Sequence, residues 1–369
     1  MGRTHRIGVI GLGVISGVYL KTLREVDDIV VAAVADLDPS RAEAVAATLP
    51  EARALSVEQL LAAPDVDLVL NLTVPAAHAE IAEAAIAQGK SVYGEKPLAA
   101  DLEAGRRVIA AAERAGVRVG CAPDSVLGVG IQTARALVDD GSIGRPIAAT
   151  AVMATPGHER WHPNPDFYYL PGGGPLLDMG PYYLTALVHL LGPVRSVIGA
   201  GSRLRAERVI GTGDRAGERI GVQVDSHMTG VLEHTSGAMS TLVMSFDAVA
   251  TSAAPIEVHG EKGSLLVPDP NRFDGTCSLR LLGEDGWREI PPRAGIVGAS
   301  RGVGLVDLLR AGTERRFRAD GTLALHVLEA MTALLESAAT GRRVKLASTA
   351  ERPVPLTLLA GIDELTAAR

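Results

Sequence analysis

From Ile7 to about Cys121 the chain alternates short runs of β-branched residues with longer Ala-rich stretches whose apolar positions recur at helical spacing. That alternation predicts parallel strands joined by crossover helices, an α/β doubly wound parallel sheet of the Rossmann type. Strands are expected at Arg6 to Ile10, Ile29 to Ala35, Val66 to Leu72, Ser91 to Gly94 and Val117 to Gly120. Helices are expected to begin near Val14, Pro39, Val57, Ala76 and Asp101, with Pro39, Pro75 and Asp101 at places that helix starts favour.

The pattern then changes. After a helix from Val129 to Asp139 and the turn DDGSIGRP come longer alternating strands: Ile147 to Ala154, Arg195 to Leu204, Arg219 to Glu233, Ala238 to Phe246 and Ile256 to His259. Such strands point to an antiparallel sheet. HGEKGS at His259 to Ser264 reads as a hairpin, and Leu323 to Thr340 as an amphipathic helix ending at Gly341. With 369 residues the chain exceeds one ordinary core of ~250–300 residues. Two domains are expected, 1–123 of the Rossmann type and 124–369 as a substrate-binding and oligomerisation α+β domain.

Composition narrows the function classes. With 47% hydrophobic and 21% charged residues the chain can build large cores. A net charge of -7 without a basic, aromatic-rich tract argues against a nucleic-acid partner. Cys121 and Cys277 lie far apart with no ligand spacing around them, which excludes a disulfide framework or zinc site and fits a reducing compartment. The opening MGRTHRIGVIGLG is too short and Gly-rich in its apolar part for a leader, and no stretch of ~18 apolar residues is evident. The expectation is a soluble, cytoplasmic protein with no membrane partner.

The first turn carries chemistry. Gly11, Gly13 and Ser16 follow the first strand and open a helix, with Val14 and Ile15 at its start. Gly11 permits a tight turn, Gly13 lets a pyrophosphate approach the backbone, and the helix N-terminus offers unpaired N–H groups to that anion. Asp36 ends the second strand, 20 residues beyond Ser16, where a carboxylate accepts from ribose hydroxyls and repels a 2′-phosphate. NAD is therefore expected over NADP. Alone, the glycines could form an ordinary strand-to-helix turn and Asp36 could merely end a strand; together they favour the dinucleotide.

Thr73, Pro75 and His78 follow one later strand, and Glu95-Lys96-Pro97 the next. In a doubly wound sheet these are ligand-binding carboxyl ends. A lysine there can orient a hydroxyl and stabilise charge on its oxygen, although Lys96 by residue type alone could be a solvated surface group. Further on, a loop from Thr155 to Pro175 gathers His158, Arg160, Trp161, His162, Asn164, Asp166, Tyr168 and Tyr169 in a chain only 3% aromatic. Aromatic faces beside hydroxyl-binding groups suit a carbohydrate; His158, Arg160 and His162 could instead hold an anionic substituent, and the loop could equally be a subunit contact. Prolines around His158 and His162 forbid a helix that would bring both onto a metal, so no metal is expected.

Gly11-x-Gly13, Asp36, Thr73-x-Pro75-x-x-His78, Glu95-Lys96-Pro97 and Gly172-Gly173-Gly174-x-x-x-Asp178 together resemble the Gfo/Idh/MocA family, the glucose-fructose oxidoreductase and inositol dehydrogenase group. The resemblance implies a Rossmann domain followed by an open-faced, mostly antiparallel sheet, NAD or NADP as cofactor, sugar or cyclitol substrates, and homodimers or homotetramers through the sheet. It marks Lys96 as the catalytic lysine, Glu95 as a cofactor-ribose contact and Asp178 as the residue that positions the substrate hydroxyl. The chain departs where many members carry His and Asp, here Tyr182 and Thr185. Tyr182 shares a helical face with Asp178, and a nearby Lys96 ammonium would lower a phenol pKa from its usual ~10. Alternatively Tyr182 only packs, and Tyr183 or His189 lies nearer the chemistry.

The expected activity is hydride transfer between NAD and a secondary hydroxyl of a sugar, glycoside or cyclitol, with Lys96 and Tyr182 taking the proton and Asp178 fixing the alcohol. Alternatives are a redox-neutral, NAD-dependent glycoside hydrolase acting by transient oxidation, elimination, water addition and re-reduction, on an anionic glycoside among others, and a non-catalytic NAD-binding regulator. Retention of Lys96 and Asp178 argues against the regulator.

Overall fold

The computed structural model describes residues 4–311 and 317–365. The outer ends of both expected domains, 1–3 and 366–369, lie outside the described residues. Two compact units are present: Met1–Gly128 with Ile296–Leu328 and Leu358–Arg369, and Val129–Gly295 with Glu329–Thr357. A single cut after residue 123 is thus replaced by a chain that leaves the first unit and returns to it. The return is held by specific bonds: Cys121 N–H donates to the Ala319 carbonyl, Arg118 to the Leu308 carbonyl at 2.7 Å, and Arg310 to Asp28 at 2.7 Å.

In the first unit the strands are β1 (His5–Ile10), β2 (Ile29–Ala35), β3 (Arg53–Ala54), β4 (Leu68–Asn71), β5 (Ser91–Gly94) and β6 (Val119–Cys121). They form one sheet in the order β3-β2-β1-β4-β5-β6, with every pair parallel. The crossovers are α1 (Ser16–Leu23), α2 (Pro39–Ala46), α3 (Val57–Ala62), α4 (His78–Ala87) and α5 (Leu102–Ala115). Ile7, Val9, Leu68, Val69 and Leu70 are all fully buried, as strands covered on both faces must be. Helix starts follow local chemistry: Asp38 accepts from Ser40 N–H beside Pro39, Ser56 and Gln59 cap each other, and Asp101 accepts from Ala104 N–H. β4 stops at Asn71, before the expected Leu72, because the Asn71 side chain bonds the next turn, accepting from Thr73 and donating to the His78 carbonyl.

The second unit contains β7 (Pro146–Ala154), β8 (Val194–Ser202), β9 (Glu207–Val209), β10 (Arg219–Gly221), β11 (His227–His234), β12 (Met239–Ser245), β13 (Ile256–Gly260), β14 (Gly263–Val267), β15 (Cys277–Leu281) and β16 (Arg288–Ile290). β17 (Gly295–Ile296) and β19 (Leu358–Leu359) make a small ribbon, and β18 (Val344–Lys345) joins the large sheet. That sheet runs β16-β15-β14-β13-β7-β12-β11-β8-β18 and is antiparallel except for β12 against β7. The expected strand from Arg219 to Glu233 is in fact two. Its first part pairs with β9 in a separate ribbon, and the chain turns where Gln223 N–H donates to the Tyr169 carbonyl and Ser226 to Asp247.

Helices of this unit are α6 (Val129–Asp139) and α7 (Pro175–Leu191); α8 (Val303–Arg310) belongs to the first unit, and α9 (Gly321–Thr340) begins in the first and ends in the second. α7 and the end of α9 cover one sheet face. A Cβ at Gly180 of α7 would stand 3.0 Å from Met331 Sδ of α9, and one at Gly199 of β8 would stand 2.5 Å from the Leu334 carbonyl oxygen. Each fully buried Leu, Val or Met there contributes roughly 1.5–3 kcal/mol. The other face is open: Ile198, Val231, Thr241 and Thr150 form one cross-strand row, with Ile198 and Thr241 exposed. Contrary to the sequence expectation, α9 is long and apolar enough to cross a membrane, but 56% of its most apolar window is buried.

Candidate active site

The glycine turn between β1 and α1 is built around Gly11. Its φ is +92°, and a Cβ would lie 2.6 Å from the carbonyl carbon and oxygen of Leu72, so no other residue fits. Gly13 has open space where a side chain would be. α1 starts at Ser16, two residues later than expected, so Val14 and Ile15 belong to the turn, and Ser16 donates its hydroxyl to the Gly13 carbonyl at 2.7 Å. Val14 (101%) and Leu37 (97%) are fully exposed beside this turn and Val74 also faces solvent, apolar groups without cover at the ligand edge of the sheet.

Asp36 does more than end β2. Its carboxylate accepts from Leu12 N–H at 2.7 Å, Asp38 N–H at 3.0 Å and Arg41 at 3.1 Å. Burial acts to raise its pKa, but the amides of Asp38 and Leu12 and the Arg41 charge outweigh it and hold the group below the ordinary carboxylate value. The ionised group ties the glycine turn to the second strand.

Of the residues after β4, Thr73 donates its hydroxyl to Asn71 and Pro75 opens a single 3₁₀ turn, Pro75–Ala77. His78 departs from the expected cofactor contact. Its two ring nitrogens lie 2.7 and 3.0 Å from the carbonyl oxygens of Pro97 and Thr73, so the buried ring braces two turns and presents neither nitrogen to a ligand. After β5, Glu95 accepts from Tyr19 O–H at 2.7 Å and from Lys96 N–H at 3.0 Å. Lys96 is half-buried at the carboxyl end of β5. Tyr19 escaped the sequence reading; burial, then Glu95, pushes its phenol well above the usual value, so it stays a donor.

Asp124 was also missed. It is fully buried after β6, its Oδ2 accepting the N–H groups of Gly302 and Gly304 at the start of α8. Burial lifts its pKa to about 6 against the lowering effect of those amides and of Arg301.

In the second unit the loop places His158 Nε2 3.0 Å from Asp178 Oδ2, joining a loop residue to the first turn of α7. The imidazole lies among Trp161, Tyr168 and Phe246, with ring centroids 5.0, 4.7 and 4.4 Å away. His158–Arg160 forms a 3₁₀ turn where no helix was expected, since Pro156 and Pro163 flank it and no proline lies inside it. His162 lies against Trp161, Phe167 and Tyr168, and Arg160 is exposed. His158 is buried against Asp178 and does not join Arg160 in an anion-binding set. Trp161 is 58% exposed, whereas Tyr182 on α7 is 4% exposed. Beneath the loop, buried Arg208 bonds Glu159, Asp247 and the Phe246 carbonyl, and Glu159 accepts from Tyr169. Among the described residues no group of three or more His, Cys, Asp or Glu could hold a metal ion.

Known proteins resemble both units. Residues 5–122 match the oxidoreductase family with an NAD-binding Rossmann fold, and residues 131–266 match the GFO/IDH/MocA C-terminal domain. The chain is 29% identical over 262 residues to a myo-inositol 2-dehydrogenase of Thermotoga maritima, covering 70% of this chain and 74% of that protein. It is 33% identical over 242 residues to a 1,5-anhydro-D-fructose reductase of Ensifer adhaerens, covering 64% and 67% respectively. An NAD binding oxidoreductase from Klebsiella pneumoniae has the same fold, with a TM-score of 0.81 at 24% identity over 93% of this chain and 99% of that one. A glycine turn closed to any side chain, an ionised Asp36 and the two matched regions lead to one conclusion: the chain belongs to the GFO/IDH/MocA family of NAD-binding oxidoreductases.

Proposed function

We propose that this chain transfers a hydride between NAD and a secondary hydroxyl of a sugar, glycoside or cyclitol. The observation that carries the reading is Lys96 at the carboxyl edge of a dinucleotide-type sheet, its own amide fixed by Glu95, which is itself fixed by Tyr19. The relatives' names, an inositol dehydrogenase and an anhydrofructose reductase, support the substrate class.

When bound, NAD supplies the hydride acceptor or donor. The residues that would hold it are Gly11, Gly13 and the turn amides for the pyrophosphate, Asp36 for the adenosine ribose and Glu95 for the second ribose. Lys96 stabilises the alcohol oxygen as its proton leaves and favours the ionised form of Tyr182, whose phenolate takes that proton and becomes a neutral phenol, while Asp178 orients the hydroxyl. We further propose a homodimer or homotetramer formed through the open sheet face, and a cytoplasmic setting, which two buried free cysteines support. No nucleic-acid or membrane partner enters this reading, in keeping with the net charge of -7.

The test is to screen polyols, aldoses, glycosides and acidic sugars for NADH formation by the purified chain. Cleavage of a glycoside without added NAD and without net NADH would replace this reading with the redox-neutral one. Failure of calorimetry to detect any NAD or NADH binding would end both.

A further inference from the structure

The histidine that the family pattern places one helical turn after the aspartate is Tyr182 here, yet Asp178 still has an imidazole partner. That partner comes from a different element, the 3₁₀ turn His158–Arg160. Asp178 Oδ2 and His158 Nε2 are 3.0 Å apart. A carboxylate only accepts, so Nε2 must carry the hydrogen and donate it. His158 Nδ1 is buried and has no hydrogen-bond partner among the described residues. Walled by Trp161, Tyr168 and Phe246, a proton on Nδ1 would be an N–H with no acceptor, whereas a lone pair there is tolerated at less cost. Both nitrogens therefore select the same form, with hydrogen on Nε2 alone.

The residues on either side of His158 are themselves fixed. Gly157 has a φ of +108°, and a Cβ there would strike Glu159 at 2.2 Å and the Tyr169 hydroxyl at 2.7 Å. The neighbouring Glu159 is fixed on three sides, by Arg208, by Tyr169 and through its carbonyl by Gly211 N–H. The loop thus delivers one N–H to one carboxylate oxygen.

We propose that His158 is the positioning residue of the site: it donates to Asp178 and orients that carboxylate for the substrate hydroxyl, and it does not itself take the substrate proton. The proposal rests on the reading above that Asp178 meets the hydroxyl. It transfers to a loop a histidine that the family pattern carries on the helix.

Two variants of the full chain separate donor from base. Gln at 158 keeps an N–H donor at comparable reach, while Phe keeps a flat ring and removes the donor. For His158→Phe the expected result is a fall in kcat of about 10- to 100-fold, the worth of a hydrogen bond to a charged group, with NAD affinity and Tm near wild type. His158→Gln is expected to recover most of the loss. Gln as poor as Phe, with both folded, would make the ring a base and overturn the proposal, as would Phe with wild-type turnover. A second readout needs no turnover and no folded variant. In protein labelled with ¹⁵N at its nine histidines, the His158 ring is expected to show a protonated Nε2 and a bare Nδ1. A proton on Nδ1, in either the other tautomer or the doubly protonated ring, overturns the proposal even if no substrate is ever turned over. Absence of turnover by the wild type on every sugar and polyol would instead count against the hydride-transfer reading.

Discussion

Lys96 and Tyr182 have the narrowest tasks in the proposed reaction, and each can lose its task without losing its place. Lys96→Met keeps the length of the side chain and Tyr182→Phe keeps the ring that lies buried on α7. Each is expected to lower kcat by about 100-fold or more, as loss of a positioned proton-transfer group does, with the NAD dissociation constant near wild type by calorimetry. Unchanged turnover in both would remove them from the chemistry. Asp36 behaves differently, because its carboxylate, besides its proposed contact with the ribose, holds the Leu12 and Asp38 amides. Asp36→Ala is expected to weaken NAD about 10-fold or more and to narrow the preference over NADP, measured by titrating both dinucleotides; a wild type already preferring NADP would contradict the assignment. The glycine turn was legible because its meaning lies within a short stretch of chain. Gly11 needs only its strand and its helix to be recognised. The tie between Tyr19 and Glu95 spans 76 positions, and the ring bonds of His78 reach two separate turns. Nothing in local spacing records such pairings.

Elements were readable where burial is uniform. Five of the six strands of the first sheet announce themselves as apolar runs because helices cover both faces, and Ile29–Ala35 and Ser91–Gly94 fall where expected, while the two-residue β3 carries no such run. The failures have physical causes: a side chain that ends β4 early, a turn held by Ser226 and Asp247 that splits one expected strand into β10 and β11, and α8, whose start is capped by Asp124 from the turn after β6. That last cap carries a prediction. Asp124 has a folded pKa of about 6 against an ordinary 3.8, so the folded protein holds a proton that the unfolded chain releases in that interval. Stability from this group is fully present below about pH 4 and is lost as pH rises through about 6, a loss of a few kcal/mol at most. Asp124→Asn keeps the oxygen that accepts from Gly302 and Gly304 and removes the titration. Melting temperatures followed from about pH 4.5 to 7.5 should show wild type losing stability relative to the variant as pH rises; parallel curves would mean that Asp124 stays charged throughout.

For the whole molecule, sequence periodicity gave the two kinds of sheet but not the route of the chain through them. The return of Ile296–Leu328 to the first unit depends on bonds such as Arg310 to Asp28, 282 residues apart, which no window along the chain can contain. The open face of the second sheet was foreseen only through family resemblance, and the structure gives it content: β8, β11 and β12 turn Ile198, Val231 and Thr241 to the same uncovered side, with Met239 and Val243 on the neighbouring rows. An apolar sheet face of this kind costs free energy in water unless something covers it, and with no second covering layer among the described residues a copy of the same face is the simplest cover. Light scattering of the wild type should then give twice or four times the chain mass of 38.3 kDa. A charge placed at the centre of the row, Val231→Arg, should shift the population to single chains while leaving NAD binding intact, because the dinucleotide residues all lie in the other unit. Wild type that runs as a single chain at every concentration, or a Val231→Arg variant that assembles as before, would show that this face is not where the copies meet.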